Sequence, residues 1–264
     1  MADRLLTPPE AVLLIKPSSS AAPLSIQAAL LALLGMGHVT ISEKSGLLGK
    51  RTLVVRSNDG PLPMHLAAVR NALRDYRPNS DGLDGKQVIH ALQRRFGLGY
   101  GRYVRDHLAP GLVERGLLTA ERRKFLGLIP YMRYARTARG EAIARPLDRL
   151  IEAADGLKQL IKTDPERALH LVRSAGVLLI MSAKARSQLP ALRKLIEQRG
   201  EDSPALTFAY VSDEPEAEWD VILDIGDIVI SEGALDLLES IDAVGDVSAG
   251  DGGSSDGGDG GGGD

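Results

Sequence analysis

The 264 residues comprise 44% apolar and 25% charged side chains, enough for one sizeable core or two small ones. No cysteine is present, which excludes disulfides, thiolate metal sites and cysteine nucleophiles. The formal charge of −3 conceals a division: residues 1–200 hold all 32 Lys and Arg with 17 acids, a net +15, whereas residues 201–264 hold 18 acids and no base. Such a body favours anionic partners: nucleic acid, a lipid head group, or its own tail.

Within residues 1–23 one short apolar run, Ala11 to Ile15, falls short of a signal-peptide core. Leu24 to Met36 is apolar all round and predicts a buried helix stopped by Gly35 and Gly37. Its length is below the roughly 20 residues that span a bilayer. A soluble or peripheral, cytoplasmic chain is expected. His38-Val39-Thr40-Ile41 switches to a period of two, and a glycine-containing connection at 45–49 leads to Arg51-Thr52-Leu53-Val54-Val55, which predicts a hairpin. Pro61 and Pro63 open a helix to about Arg74, and Lys86 to Phe96 forms another with Val88, Ile89 and Leu92 on one face.

Gly97-Leu98-Gly99-Tyr100-Gly101 reads as a connector, followed by a helix carrying Val104, Leu108 and Leu112. Pro110 should kink that helix, and the sequence offers no reason for the kink. Gly116 is the expected stop, and Thr119 a candidate cap for the turn beyond. A second hairpin is expected over 125–136, with an apolar tip at Phe125 to Ile129. Ile143, Leu147, Leu150, Ile151, Ala154, Leu157 and Ile161 then form a long apolar stripe. Asp164-Pro165-Glu166 is a helix start, and its helix should bury Ala168, Leu171, Val172, Ala175, Leu178 and Leu179. A last body helix is expected from Ser187 to Glu197.

Residues 205–242 alternate weakly as a strand (Val221, Leu223, Ile225), then as a short helix from Ser231. Residues 250–264, with 9 Gly, 4 Asp and 2 Ser, cannot bury a core and are expected to be disordered. The expected fold is mainly α: a single helical domain over 5–200 with two β-hairpins, then an acidic appendage at 201–249 and a Gly/Asp tail at 250–264. The tail's charge predicts that it lies against the body at low salt. Deleting residues 201–264 should therefore strengthen vesicle binding, most at low ionic strength; co-sedimentation with anionic vesicles across a salt series checks this.

Enzyme constellations are scarce. The five histidines (38, 65, 90, 107 and 170) form no ligand-like pair, and neither a phosphate-binding G-x-x-x-x-G-K-[ST] loop nor a G-x-S-x-G elbow occurs. No catalytic residue, metal or cofactor is expected. Arg102 and Arg105, by contrast, lie at i, i+3 in the first turn of a helix, where unpaired N–H groups and the dipole already favour an anion. On an ideal wheel they share the arc of Val104, Leu108, Ala109 and Leu112. Gly97, Gly99 and Gly101 would let a phosphate approach the backbone, and the two guanidiniums would neutralise it. The alternative is that Asp106 or another carboxylate pairs with them. For Phe125, Leu126, Leu128 and Ile129 the alternatives are core or surface contact, and the flanking Arg122, Arg123, Lys124 and Arg133 suit an anionic membrane.

Several strings resemble the Golgi phosphoprotein 3 family, peripheral membrane proteins that bind phosphatidylinositol 4-phosphate. They are Leu6-Thr7-Pro8-Pro9-Glu10-Ala11-Val12-Leu13-Leu14, the apolar helix into Gly37-His38-Val39-Thr40-Ile41, and Arg102-Tyr103-Val104-Arg105-Asp106-His107-Leu108-Ala109 running into Leu112-Val113-Glu114-Arg115-Gly116-Leu117-Leu118-Thr119. The Phe125–Leu128 string and Asp164-Pro165-Glu166-Arg167 also fit. The resemblance covers about residues 5–200 and implies a divergent, non-enzymatic member. It implies that Arg102 and Arg105, with Gly99 and Gly101, hold a lipid head group. It also implies that Phe125, Leu126, Leu128 and Ile129 touch the bilayer or a second subunit. The family pocket adds a tryptophan and another arginine near the first helix; here Ser25 stands at the arginine position, and the one Trp, Trp219, lies in the acidic appendage. The expected partner is thus an anionic phospholipid surface, with self-association through the 125–136 hairpin as an option. The alternatives are a winged-helix-like nucleic-acid binder, suggested by two helix-then-hairpin units, and a protein-binding adaptor.

Overall fold

The computed structural model describes residues 6–43, 51–56, 60–76, 82–125 and 128–199. The expectations for the 45–49 connection and for residues 201–264, Trp219 included, lie outside the described residues. Helices α1 (Pro8–Ile15) and α2 (Ala22–Gly35) pack together at the centre. As its all-round apolar sequence demands, α2 is buried on every side from Ser25 to Leu34. Gly37, at φ +69, ends it: the Gly37 N–H bonds Leu34 O at 2.9 Å and the His38 N–H bonds Leu33 O at 2.9 Å. That turn delivers the chain into β1 (Val39–Glu43), antiparallel to β2 (Arg51–Val55), with Val39 opposite Val55.

Next come α3 (Met64–Tyr76) and α4 (Gly85–Phe96), each burying one face. Asp84 and Gln87 cap α4 reciprocally: the Gln87 N–H bonds Asp84 Oδ1 at 2.9 Å and the Asp84 N–H bonds Gln87 Oε1 at 3.0 Å. The following helical stretch has three parts: α5 (Gly101–Tyr103), a π turn at Val104–Leu108, and α6 (Ala109–Glu114). The π turn resolves the Pro110 question. By closing on the Ala109 N–H to Val104 O bond, the chain slips one residue, and Pro110 falls in the first turn of α6, where no N–H is needed. Gly116, at φ +67, ends α6 with the same pair of bonds as Gly37, Gly116 N–H to Val113 O and Leu117 N–H to Leu112 O, both 2.9 Å.

The second hairpin is β3 (Leu118–Phe125) with β4 (Ile129–Arg136), Leu118 opposite Arg136. It starts earlier than the sequence suggests. Thr119 is no cap: it lies in β3, and its Oγ1 donates to Ala135 O at 3.3 Å. The apolar stripe from Ile143 is two helices, α7 (Ala138–Ala154) and α8 (Leu157–Thr163), parted at Asp155-Gly156. Asp164 caps α9 (Pro165–Ala175) as expected, accepting the Arg167 N–H at 3.1 Å. Gly176, also at positive φ, stops α9, so Val177 to Leu179 are buried in a 3₁₀ segment (Gly176–Met181) instead. Two helices follow, α10 (Ala183–Arg186) and α11 (Leu189–Arg199).

The short run Ala11 to Ile15 belongs to α1, which the sequence reading does not single out and which is nearly all buried. Glu10 accepts the Thr7 N–H (2.8 Å) and Thr7 Oγ1 (2.9 Å) on Oε2, and the Arg115 guanidinium at 2.7 Å on Oε1. With its hydroxyl hydrogen on Glu10, Thr7 Oγ1 accepts from His65 Nε2 at 2.8 Å, which places that imidazole proton on Nε2. Arg136 bonds the α1 carbonyls of Leu14 (2.7 Å) and Ile15, and pairs with Asp148 of α7 (2.8 and 3.2 Å). Gly140 lets α7 meet the start of β3: a Cβ there would sit 2.0 Å from Leu117 O. Gly140→Ala is expected to cost about 3 kcal/mol or more, since the obstacle is backbone, and a urea denaturation curve would show it.

Candidate functional site

The turn between α4 and α5 is fixed at both ends. The Gly97 N–H bonds Gln93 O at 2.8 Å, the Tyr100 N–H bonds Gly97 O at 3.0 Å, and the Tyr103 N–H bonds Tyr100 O at 2.9 Å. Tyr100, in the left-handed region at φ 56, is buried, as are Phe96 and Tyr103, whose rings meet edge to face at 5.3 Å. The amides of Gly101 and Arg102 make no hydrogen bond among the described residues, as expected of a helix start. Neither Gly99 nor Gly101 has positive φ, and a Cβ on either would meet nothing within 4 Å. Nothing in the fold requires glycine there.

Arg102 and Arg105 are both exposed, while Val104, Leu108, Ala109 and Leu112 are buried. The shared arc of the ideal wheel is therefore corrected. The wide π turn rotates everything beyond it, so the apolar residues of α6 move to the inner face while the arginines stay outside. The Asp106 alternative applies to Arg105, which grips that carboxylate at 2.6 Å (Nε) and 3.0 Å (Nη2). This bond holds the Asp106 carboxyl below its ordinary range, and the charges of His107 and Arg102 act in the same direction. The pair is 56% and 43% exposed, so holding it together is worth at most about 1 kcal/mol, and an incoming anion can displace Asp106. Arg102 makes no ion pair among the described residues.

Two neighbours, Tyr134 and His107, have no signal in the sequence, since one comes from a separate element and the other lacks a motif. Tyr134 of β4 is buried close enough to Arg105 and Asp106 to feel both charges, and burial raises its phenol. His107, in the π turn, meets the Phe96 ring edge to face at 5.8 Å. Burial first, and then the charge of Arg95 on α4, push its imidazole below the ordinary 6.5, against a smaller opposite pull from Asp106. Because protonation is disfavoured in the folded state, His107 adds stability above about pH 6.5 that is lost as pH falls through its lowered folded value. An NMR titration should find it below 6.5, and Arg95→Ala should move it up.

In the hairpin, Leu128 at the turn is 82% exposed and Tyr131 44%. Thr119 to Lys124 of β3 are exposed at every position, whereas on β4 Tyr131, Arg133 and Ala135 are exposed and the alternating Met132 and Tyr134 are half-buried and buried. Arg123 pairs with Glu121 at 2.8 Å. Leu126 and the side chains of Phe125 and Ile129 lie outside the described residues. Ser25 is fully buried in α2, and its Oγ has no hydrogen-bond partner among the described residues.

A family model described as Golgi phosphoprotein 3 (GPP34) matches residues 16–209. The chain belongs to that family. No curated protein matches it. The match contains the whole of the Gly97–Glu114 segment and both hairpins, and begins just after α1. Among the described residues of this Golgi phosphoprotein 3 family member, no helix is long and apolar enough to cross a membrane.

Proposed function

We propose that the chain is a non-enzymatic peripheral membrane protein that holds a phosphorylated lipid head group, of the phosphatidylinositol 4-phosphate kind, on Arg102 and Arg105. The observation that carries this reading is the exposure of both guanidiniums at a helix start whose first two amides make no hydrogen bond among the described residues. Family membership supports it. A phosphate there would accept the Gly101 and Arg102 N–H groups, take Arg102 directly, and draw Arg105 from Asp106. Gly99 and Gly101 keep the approach free of side chains. The hairpin, with exposed basic side chains on its strands and an exposed Leu128 at its turn, would meet the bilayer or a second copy of the chain.

The nucleic-acid alternative needs a free helix ahead of each hairpin to enter a groove, whereas α2 is buried on every side. Binding of the full chain to phosphatidylcholine vesicles, to the same vesicles carrying phosphatidylinositol 4-phosphate, and to duplex DNA tests the reading. Binding to the phosphorylated vesicles alone is expected. Equal binding to duplex would replace the lipid reading with the nucleic-acid one.

A further inference from the structure

Leu98 is 73% exposed, among the most exposed large apolar side chains of the described residues. A single exposed leucine is ordinary on a protein surface, but this one has an unusual setting. It is an apex residue of the Gly97–Tyr100 turn, which the Tyr100 N–H to Gly97 O bond closes. On either side the turn is nailed to the core by Phe96, 1% exposed, and Tyr100, 2% exposed. The backbone therefore holds Leu98 outward, and the space around Gly99 beside it is open. Arg94 and Arg95 precede it on the last turn of α4, and Arg102 and Arg105 follow it on α5 and the π turn; all four are exposed. No Asp or Glu occurs from Gly85 to Arg105. The first acid beyond, Asp106, is bonded to Arg105.

An apolar tip on a rigid turn, flanked along the chain by four exposed arginines, complements one kind of partner: an anionic bilayer, whose acyl boundary takes the leucine while its phosphates meet the arginines. We propose that Leu98 inserts into the bilayer as an anchor beside the head-group site, so that lipid is bound by phosphate capture and apolar insertion at once. This rests on the head-group reading of Arg102 and Arg105. Because the turn is already ordered, insertion adds little ordering cost, and burying one leucine should strengthen vesicle binding by about tenfold or more.

The absence of cysteine makes the test direct. The single-cysteine variant Leu98→Cys, labelled with the environment-sensitive dye NBD, is mixed with phosphatidylcholine vesicles carrying phosphatidylinositol 4-phosphate, and separately with the soluble head group inositol 1,4-bisphosphate. Emission should shift to the blue and brighten on vesicles, be quenched by a spin label in the acyl chains, and stay unchanged with the soluble head group. Leu98→Ser should lose about tenfold in vesicle affinity while binding inositol 1,4-bisphosphate like the parent chain. A water-like emission from dye on vesicle-bound protein, or unchanged vesicle affinity of Leu98→Ser, overturns the insertion and leaves the head-group site standing. A blue shift that appears without vesicles and grows with protein concentration assigns Leu98 to a protein contact and also overturns it. Failure of the parent chain to bind either vesicle or head group overturns the head-group reading, and this inference with it.

Discussion

Replacing Arg102 and Arg105 together by Ala is expected to weaken binding to vesicles carrying phosphatidylinositol 4-phosphate by well over tenfold, with the fold intact. Charge-assisted hydrogen bonds are worth roughly 1.5–3 kcal/mol each. Exposure and the loss of the Arg105–Asp106 contact reduce that figure, and a combined effect above about 1.4 kcal/mol, one factor of ten, remains. Both side chains are exposed, so the thermal unfolding midpoint should scarcely move. Gly101→Ala provides a second arm. Its Cβ meets no atom of the protein and its φ is ordinary, so the fold should tolerate it, yet a methyl group there stands at the amides offered to the phosphate. A several-fold loss of binding is expected, and plain phosphatidylcholine vesicles should bind none of the variants. A folded double variant that binds like the parent chain would remove the arginines from the site.

Glu10→Ala should be the most damaging single change on stability, costing about 3–5 kcal/mol in urea denaturation. The carboxylate is 5% exposed and answers three groups: the Thr7 amide and hydroxyl, and the Arg115 guanidinium, with His65 Nδ1 at 4.0 Å. Truncation leaves a mostly buried guanidinium, 20% exposed, facing a void. Thr7 and Glu10 belong to the start of α1, His65 to α3, and Arg115 to the end of α6, so the loss is felt by three elements at once. Arg115 lies at the opposite end of the helical stretch from Arg102. Vesicle affinity should accordingly be unchanged at temperatures where the variant is folded. A loss below about 1 kcal/mol would mean that packing alone holds these helices.

The helices α2, α3, α4 and α9 and the first hairpin are legible from the sequence because local rules determine them. An all-round apolar run is a buried helix, Asp84 and Asp164 are caps, and a change to a period of two after Gly37 starts a strand. The arginine pair at a helix start was legible for the same reason. Its i, i+3 spacing and the glycines before it are local features, and both side chains are exposed.

Other features had no local signal. Eight residues of α1 are too few to show a period, and a helix buried on all sides has no polar face to reveal it. The start of β3 at Leu118 follows from pairing with Arg136, which joins α1 to α7 through the carbonyls of Leu14 and Ile15 and the carboxylates of Glu141 and Asp148. The wheel position of Arg102 and Arg105 depends on a π turn that no periodicity reports, because it is the slip of one residue that accommodates Pro110. Composition, charge and local patterning thus determined most of the helices, where the basic body ends, and which side chains are candidates for holding a phosphate. Only the tertiary structure decided which face those side chains occupy and which of them already has a carboxylate partner. Those properties depend on contacts between residues far apart in the chain, which one-dimensional spacing does not encode.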